Sequence, residues 1–216
     1  MSVSEAVNPQ QLQSILQSGL ETLDCALSES QQHQLISYVA LMHKWNKAYN
    51  LTSVRSPDQM MVKHVLDSLA VIPYVSAKCV IDVGTGPGLP GIPLAIALPE
   101  VQFVLLDSLG KRVRFMKQVA FELGLKNVEP VHARVEEHQP DFHYDLVLSR
   151  AFASLKDMLH WCQHLVDSQG AFLALKGQYP HDELKEVSEH FHVQAVNELT
   201  VPGLIGERHL VTIKKA

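Results

Sequence analysis

The sequence of 216 residues lacks several features that mark particular classes of protein. Only three cysteines are present, Cys25, Cys79 and Cys162, and no two of them are spaced as Cys-x-x-Cys. They predict neither a disulfide framework nor a zinc module, and they favour a reducing, cytoplasmic compartment. The longest apolar stretch, residues 92–98, is far shorter than the roughly 20 residues that span a bilayer. The amino terminus has no basic segment followed by an apolar one, so we expect neither membrane insertion nor secretion.

An excess of positive charge is absent as well. Lys and Arg number 18 against 23 Asp and Glu, which gives a formal net charge of −5 and a pI near 6.2. This balance excludes a polycation that coats nucleic acid non-specifically. With 46% hydrophobic and 19% charged residues, the chain has the composition of a packed globular protein, and its length is enough for a large core.

The first 76 residues contain one glycine, Gly19, and their patterns predict helices. Ser28 and Gln31 have the spacing of a capping box, and a helical apolar stripe follows them. Ser56 and Pro57 are typical of the start of a further helix, since proline is favoured at the first helical position. We therefore predict that residues 1–76 form a helical extension that packs on the rest of the chain, residues 77–216.

From residue 79 onward, β-rich runs alternate with helical stretches. Such alternation predicts a parallel sheet that helices cover on both faces. The last two runs are joined by a segment too short for a helical crossover, so we expect them to pair antiparallel. The sequence therefore predicts an α/β fold with a seven-stranded, mostly parallel sheet and an antiparallel last strand. The predicted strands are residues 79–83, 102–107, 129–133, 144–149, 171–175, 193–199 and 209–214.

A glycine-rich turn, IDVGTGPGLPGIP at residues 81–93, follows the first strand. Such a turn lets backbone approach a ligand closely, and we expect it to aim free N–H groups at that ligand. Its glycines satisfy both the dinucleotide pattern G-x-G-x-x-G and a pattern D-x-G-x-G-x-G that begins at Asp82. In a dinucleotide site the strand runs straight into the first glycine, whereas here Gly84 and Thr85 precede Gly86.

Two acidic residues favour a ligand without phosphate. The carboxylate of Asp82, at the end of the first strand, would repel a pyrophosphate and suits an amino-bearing cation such as S-adenosylmethionine. Asp107 ends the second strand, where an acid can bind ribose hydroxyls. We therefore predict a Rossmann-like class I methyltransferase that binds S-adenosyl-L-methionine through Asp82, Gly84, Gly86 and Asp107.

The methyl acceptor is less constrained by the residues. Exocyclic amino groups are typically methylated beside an Asn/Asp-Pro-Pro-aromatic loop, and Ser149-Arg150-Ala151-Phe152 does not match it. Carbon acceptors need a cysteine nucleophile at a strand end, and none of the three cysteines is placed there. A ring nitrogen such as guanine N7 needs no base, because positioning and electrostatics suffice. We expect no general base and assign no catalytic residue.

Several motifs together resemble one family, the bacterial small-subunit (16S) ribosomal RNA guanine-N7 methyltransferases, also called glucose-inhibited division protein B. The resemblance covers the chain from about residue 25 onward. The motifs are KWNKAYNLTSV (44–54), KHVLDSL (63–69), IDVGTGPGLPGIPLAI (81–96), LLDSLGKRVRF (105–115), SRAFASL (149–155), LALKGQ (173–178) and GERHLVTIKK (206–215).

The resemblance implies methylation of N7 of one guanosine in the decoding-region loop of 16S rRNA. The partner would be 16S rRNA or the small ribosomal subunit, including an assembly intermediate, and we expect a monomer. The family's cofactor-binding positions fall on Gly84, Leu89, Val135, Glu136 and Arg150. Two alternatives stay open: an RNA-binding assembly factor with a vestigial cofactor site, and a methyltransferase for a non-RNA acceptor.

Cations also gather near the predicted ends of the strands. Arg150 and Lys176 are candidates for the substrate side of the site. Several others favour contact with RNA phosphates, although a solvated helix face is the common explanation of a short run of charge. Among the twelve histidines, His160 and His164 have a spacing that can bind zinc, but no third ligand is evident, so we predict no metal. The remaining cations are Lys111, Arg112, Arg114, Lys117 and Arg134, with a second group at Lys44, Lys47, Arg55 and Lys63.

Overall fold

The computed structural model describes residues 7–150, 152 and 154–216. Its amino-terminal part is helical, as the sequence predicts. A short π-helical stretch, Met61–Leu66, interrupts the regular helix that the sequence predicts to begin at Pro57. The helices of this part are α1 (Pro9–Thr22), α2 (Glu29–Tyr49), α3 (Pro57–Met60) and α4 (Asp67–Leu69), followed by a 3-10 turn at Ile72–Tyr74.

The start of α2 confirms the predicted capping box. The Ser28 hydroxyl accepts from the backbone N–H of Gln31, and the Gln31 side chain accepts from the backbone N–H of Ser28 at 2.9 Å. The helix ends at Asn50, whose φ of 48° places it in the left-handed region. Ser56 precedes α3 as predicted, but its side chain makes no capping hydrogen bond. The local sequence therefore predicts where these helices begin, but it does not predict every hydrogen bond within them.

The sheet has seven strands in the order β3-β2-β1-β4-β5-β7-β6. Strands β1 to β5 pair in parallel, and β7 pairs antiparallel with both β5 and β6, which confirms the predicted α/β fold. The helices between the strands are α5 (Gly91–Ala97), α6 (Gly110–Glu122), α7 (Leu155–Cys162) and α8 (His181–Lys185). The strands are β1 (Cys79–Val83), β2 (Gln102–Asp107), β3 (Val128–His132), β4 (Leu146–Ser149), β5 (Ala171–Lys176), β6 (Phe191–Glu198) and β7 (His209–Lys215).

Strand β4 begins two residues later than the sequence predicts. The backbone N–H of Tyr144 donates to Leu165 at 2.9 Å, so this residue is bound to the segment after α7. The Asp145 carboxylate accepts from the backbone N–H groups of Lys78 and Cys79 at 2.7 and 2.9 Å. These contacts fasten the amino ends of β1 and β4 to each other, where the β-rich composition of residues 144–145 alone predicts continued strand.

Buried side chains form one cluster on each face of the sheet, which confirms that helices cover both faces. Within β2, Phe103 and Leu105 face one cluster, whereas Val104 and Leu106 face the other. The first cluster contains buried residues of α1 to α6, and the second contains those of α7. The amino-terminal helices therefore bury their apolar faces against the same side of the sheet as α5 and α6. This packing leaves the carboxyl ends of β1 to β5 along one common edge.

Candidate active site

A cleft of about 270 Å³ opens at the carboxyl ends of the first strands, on the side where ligands bind in parallel α/β sheets. It brings together four of the predicted cofactor residues, Gly84, Asp107, Val135 and Glu136. Four others, Asp82, Gly86, Leu89 and Arg150, are not among its lining residues. The remaining lining residues are Val83, Leu106, Ser108, Arg112, Ala133, Arg134 and Phe152.

The glycine-rich turn departs from the prediction in one respect. Each of the seven backbone N–H groups between Gly84 and Ile92 donates within the protein, at 2.7–3.2 Å. The expectation that this turn presents free N–H groups is therefore wrong, because its own carbonyls, Leu106 and two carboxylates accept them all. A pyrophosphate site depends on unpaired N–H groups. The arrangement thus supports a ligand that carries no phosphate at this turn.

Asp82 lies beneath the turn and is fully buried. Its Oδ2 accepts from the Thr85 hydroxyl at 2.6 Å and from the Gly91 N–H at 2.9 Å, while its Oδ1 has no partner among the residues that the structure describes. Burial raises the pKa of Asp82 to about 6, against the lowering effect of these hydrogen bonds. Asp82 holds the shape of the turn, and direct contact with a cofactor stays a prediction.

Close packing also explains the last glycine of the turn. A Cβ at Gly91 would overlap Leu105 Cδ2 and would lie 2.9 Å from Asp82 Oδ2. Gly84 has a different requirement, a φ of 69°, in the region that side chains disfavour. Gly84 also lines the cleft, so a side chain there would strain the backbone at the border of the ligand space.

Asp107 is almost fully buried at the floor of the cleft. Its Oδ2 accepts from the Gly86 N–H at 2.9 Å and from Arg112 Nη1 at 3.1 Å, and its Oδ1 accepts from the Leu109 N–H at 2.9 Å. The glycine turn and the start of α6 are thus joined through one carboxylate. Arg112 stands in the sequence as one cation among several, and only the fold shows that it lines the cleft beside Asp107.

A third buried carboxylate, that of Asp67, binds two arginines at the neighbouring edge of the sheet. Asp67 Oδ2 accepts from Arg150 Nη1 at 3.2 Å, and its Oδ1 accepts from Arg208 Nε at 2.7 Å. The Asp67 side chain is 1% exposed, whereas each arginine side chain is 26% exposed. Arg150 also donates to the Lys63 carbonyl at 3.4 Å. The shared carboxylate neutralises one of the two guanidinium charges and leaves the other at the edge of the sheet.

Neither Asp67 nor Arg208 is among the residues that the sequence predicts for the site. They belong to the motifs KHVLDSL and GERHLVTIKK, so the only signal for them was the resemblance. Lys176, the other predicted substrate-side cation, donates to Glu183 at 2.7 Å, and Glu183 also accepts from the Leu155 N–H. The structure thus places Arg150 and Lys176 near strand ends, each bound to an acid that the sequence does not reveal.

His64 lies beside this edge and is uncharged at neutral pH. Burial, followed by the nearby Arg150 guanidinium, lowers the pKa of His64 to about 4. Its Nε2 is 2.9 Å from the Thr52 hydroxyl oxygen. The contact ties the connector after α2 to the π-helical stretch and adds no positive charge next to the two arginines.

The cysteines have the electrostatics of inert thiols. Burial raises the pKa of Cys162 to about 12 and raises the pKa of Cys25 and Cys79 as well. His164, part of the spacing that could bind zinc, has its Nε2 3.0 Å from the His138 carbonyl. Within residues 7–150, 152 and 154–216, no three His, Cys, Asp or Glu side chains stand close enough to hold a metal ion.

Comparison with known proteins places the chain in a family. Residues 31–211 match the sequence model of the family described as rRNA small subunit methyltransferase G. A protein named ribosomal RNA small subunit methyltransferase G from Alteromonas mediterranea is 69% identical over 95% of this chain and 98% of its own length. Its namesake from Escherichia coli K12 is 58% identical over 90% of this chain and 94% of its own length.

Solved structures show the same fold at low identity. M. jannaschii TYW2, solved in complex with AdoMet, superposes with a TM-score of 0.54 at 14% identity, over 69% of this chain and 74% of that one. An O-methyltransferase (NcsB1) from neocarzinostatin biosynthesis, solved in complex with S-adenosylmethionine, shares this fold with a TM-score of 0.55 at 16% identity, over 65% of this chain and 50% of that one. Because the family match spans most of the chain and the relatives are similar over nearly their whole length, the chain belongs to the rRNA small subunit methyltransferase G family.

Proposed function

We propose that this protein transfers a methyl group from S-adenosylmethionine to N7 of a guanosine in the decoding-region loop of 16S rRNA. The observation that carries the proposal is the family match over residues 31–211, combined with a cleft at the strand ends of a methyltransferase fold. The alternatives of a vestigial site and of a non-RNA acceptor are outcomes of the test below.

The cleft fits the cofactor on chemical grounds. S-adenosylmethionine supplies an electrophilic methyl group on a sulfonium sulfur, and it carries ribose hydroxyls but no phosphate. Asp107 presents a buried carboxylate in the cleft to accept hydrogen bonds from those hydroxyls. Gly84, Val135 and Glu136 line the same space. Asp82, Gly86, Leu89 and Arg150 complete the proposed set, with Asp82 and Gly86 acting through the shape of the turn.

The reaction needs little from acid or base groups. The lone pair of guanine N7 forms a bond to the methyl carbon, the carbon–sulfur bond breaks, and its electron pair returns to sulfur. No proton leaves the acceptor, because N7 bears none. The positive charge moves from sulfur to the purine ring, so the net charge of the site is unchanged. The protein's task is then to hold N7 in line with the carbon–sulfur bond.

The proposal extends to organisation and partner. We take residues 1–76 as a helical extension and residues 77–216 as the catalytic core. The extension reaches the catalytic edge through Asp67, which binds Arg150 and Arg208 of the core. The partner would be 16S rRNA or a small ribosomal subunit, and we propose a monomer that works in the cytoplasm. Every helix in the part of the chain that the structure describes is too short or too polar to cross a membrane.

A transfer assay with a modified acceptor tests the proposal. Purified protein and methyl-labelled S-adenosylmethionine are incubated with small subunits, with naked 16S rRNA, and with 16S rRNA in which 7-deazaguanosine replaces guanosine. We expect label in one or both of the natural substrates and none in the 7-deaza RNA, which has carbon in place of N7. Equal labelling of the 7-deaza RNA would refute N7 as the acceptor.

Two further outcomes select the alternatives. Label that appears in a small molecule or protein of a cell extract, with none in RNA, would identify a non-RNA acceptor. Failure to bind S-adenosylmethionine in calorimetry, with RNA binding retained, would identify an assembly factor. Mapping the methylated nucleotide in RNA from cells with and without the protein then locates the modified guanosine.

A further inference from the structure

We propose that the exposed face formed by α2 and α6 is a binding surface for the sugar-phosphate backbone of RNA, separate from the methyl-transfer cleft. This surface, the α2–α6 face, comprises Lys44 and Lys47 on α2 with Lys111, Arg114 and Lys117 on α6. The inference rests on the proposed function for the identity of the RNA, and it assigns the place where RNA outside the target nucleotide is held.

Charge is distributed very unevenly between these helices and the rest of the chain. Residues 34–49 and 108–121 contain six Lys and Arg residues and no Asp or Glu. The whole chain nevertheless carries a formal net charge of −5. The acids therefore lie elsewhere, and the two segments form a local region of positive potential. Such a region attracts phosphates even on an acidic protein.

The fold joins two groups of cations that are far apart in the sequence. Helices α2 and α6 pack side by side and antiparallel. Gln34, near the start of α2, donates to the Leu123 carbonyl at 2.8 Å beyond the end of α6. At the opposite end, Lys111 Nζ donates to the Tyr49 carbonyl at 2.8 Å. Between these ends, the rings of Trp45 and Phe115 pack at 5.6 Å. One rigid two-helix layer thus carries both groups.

The cations on this layer differ from those at the cleft. Arg112, Arg150 and Lys176 each bind a carboxylate at 2.7–3.2 Å. By contrast, Lys44, Lys47, Arg114 and Lys117 are exposed and form no ion pair with any residue that the structure describes. Glu122, the last residue of α6, lines the same surface depression as Lys44 without forming an ion pair with it, and its Oε1 accepts from Gln118 at 2.6 Å. The charge of the α2–α6 face is therefore available to a ligand.

Aromatic side chains accompany the exposed cations. Phe121 is 83% exposed on α6, and Tyr49 is 37% exposed at the end of α2, where its ring stacks on Trp45 at 5.2 Å. Lys111, Arg114, Lys117 and Phe121 recur every three or four residues, which places them on one side of the helix. Cations interleaved with exposed rings are typical of surfaces that hold phosphates and stack on unpaired bases.

The α2–α6 face lies outside the cleft and begins next to it. Ser108, two residues before α6, and Arg112, in its first turn, line the cleft itself. From there the 13 residues of α6 extend for about 20 Å along the surface. An RNA whose target guanosine occupies the cleft can therefore run along this helix, and contacts there add affinity without touching the reacting atoms.

The test compares two triple variants that remove the same charge. The first, Lys44→Gln with Arg114→Gln and Lys117→Gln, changes the α2–α6 face and leaves the cleft-lining Arg112 and the bonded Lys111 intact. The matched control, Lys78→Gln with Lys156→Gln and Lys185→Gln, changes exposed lysines on other surfaces. Binding of a labelled 16S rRNA fragment that contains the decoding-region loop is measured between about 50 and 200 mM salt, since phosphate contacts make affinity salt-dependent.

We expect the face variant to bind this RNA at least about tenfold more weakly at low salt. Its log–log salt slope should fall by about 1 for each cation removed. The control should match the wild type in both respects, and melting temperature and S-adenosylmethionine affinity should be unchanged in both variants. A third variant exchanges lysine and arginine at the same positions (Lys44→Arg, Arg114→Lys, Lys117→Arg). It keeps the positive charge and should bind the RNA as the wild type does.

The outcomes separate this inference from the proposed function. Equal weakening in both variants would show a non-specific effect of net charge and overturn the α2–α6 face. Unchanged RNA binding in the face variant, with methyl transfer intact in the wild type, would overturn the inference that the α2–α6 face binds RNA and would leave the proposed function intact. Loss of RNA binding in the face variant alone, with no methyl transfer by the wild type, would support the α2–α6 face as an RNA-binding surface and reject the proposed methyl transfer.

Discussion

Asp67 and Arg208 are 141 residues apart in the chain, yet Arg208 Nε donates to Asp67 Oδ1 at 2.7 Å. Arg150 shares the same carboxylate from the other side, at 3.2 Å. One buried acid thus joins the amino-terminal helices, the segment after β4 and the residues just before β7. Two like charges are held together at this edge of the sheet because a single desolvated carboxylate lies between them.

Replacing Asp67 by Asn should destabilise the protein. The change leaves two guanidinium groups facing each other without a shared anion, and breaking a buried pair typically costs about 3–5 kcal/mol. Each arginine is a quarter exposed, so water screens part of the loss and we expect about 2 kcal/mol. Urea unfolding of the wild type and of Asp67→Asn measures this loss of unfolding free energy. Asp182→Asn, which removes the partner of the exposed Lys185, is the control and should change the midpoint little; equal losses would contradict a special role for Asp67.

Replacing Asp107 by Asn should weaken cofactor binding. A hydrogen bond to a charged group contributes about 1.5–3 kcal/mol, which corresponds to a Kd that rises by roughly 10- to 150-fold. Calorimetry with S-adenosylmethionine measures the change. Asp145→Asn is a matched control, because Asp145 also accepts two backbone N–H groups but lies at the opposite end of the strands. An unchanged Kd in Asp107→Asn would exclude Asp107 from the cofactor site.

Replacing Gly84 by Val should abolish measurable cofactor binding and also reduce stability. A branched side chain at φ 69° strains the backbone by about 1–3 kcal/mol, and Gly84 borders the cleft. Gly124→Val separates the two effects, since Gly124 has φ 65°, has open space within 4 Å of where a Cβ would stand, and lies outside the cleft. Both variants should unfold earlier, and only Gly84→Val should lose S-adenosylmethionine. Retained affinity would show that the turn does not border the ligand.

His64 should make the protein more stable as pH rises from about 4 to 6.5. Its folded pKa is about 4, below its usual 6.5, so the unfolded chain binds more protons in this range. The free energy of unfolding then increases with pH, by up to about 1.4 kcal/mol per unit. Asp82 acts in the opposite direction between 3.8 and about 6, because its folded pKa is raised.

The contribution of His64 is isolated by subtraction. His64→Gln keeps a polar group near the Thr52 hydroxyl but cannot titrate. Subtracting the variant's unfolding free energies from those of the wild type cancels the effect of Asp82. The difference should rise between pH 4 and 6.5 and level off above that range. A flat difference curve would mean that His64 is not desolvated in the folded state.

Much of the architecture was predictable from local pattern. The alternation of apolar runs and helical stretches predicts the seven strands because strand and helix each impose their own period on buried residues. The Ser28 and Gln31 capping box is predictable because both of its bonds join residues three apart. The boundary of β4 was not predictable from local pattern, because it depends on the hydrogen bond that the Tyr144 N–H donates to the Leu165 carbonyl, in a segment beyond the next helix. The π-helical turn at Met61–Leu66 left no signal in the apolar spacing.

The candidate site, like the fold, has some features that follow from local sequence and others that depend on contacts between distant segments. Local sequence is enough to predict the fold class, the glycine turn and the acid at the end of β2, because each depends on residues that are neighbours in the chain. The packing of the chain, in contrast, gives every N–H group of the turn an acceptor, brings Arg112 beside Asp107, and joins Arg150 to Arg208 through Asp67. It also decided that the cations of α2 and α6 share one face. These are contacts between distant segments, and a buried carboxylate selects its partners only when packing has removed water from around it.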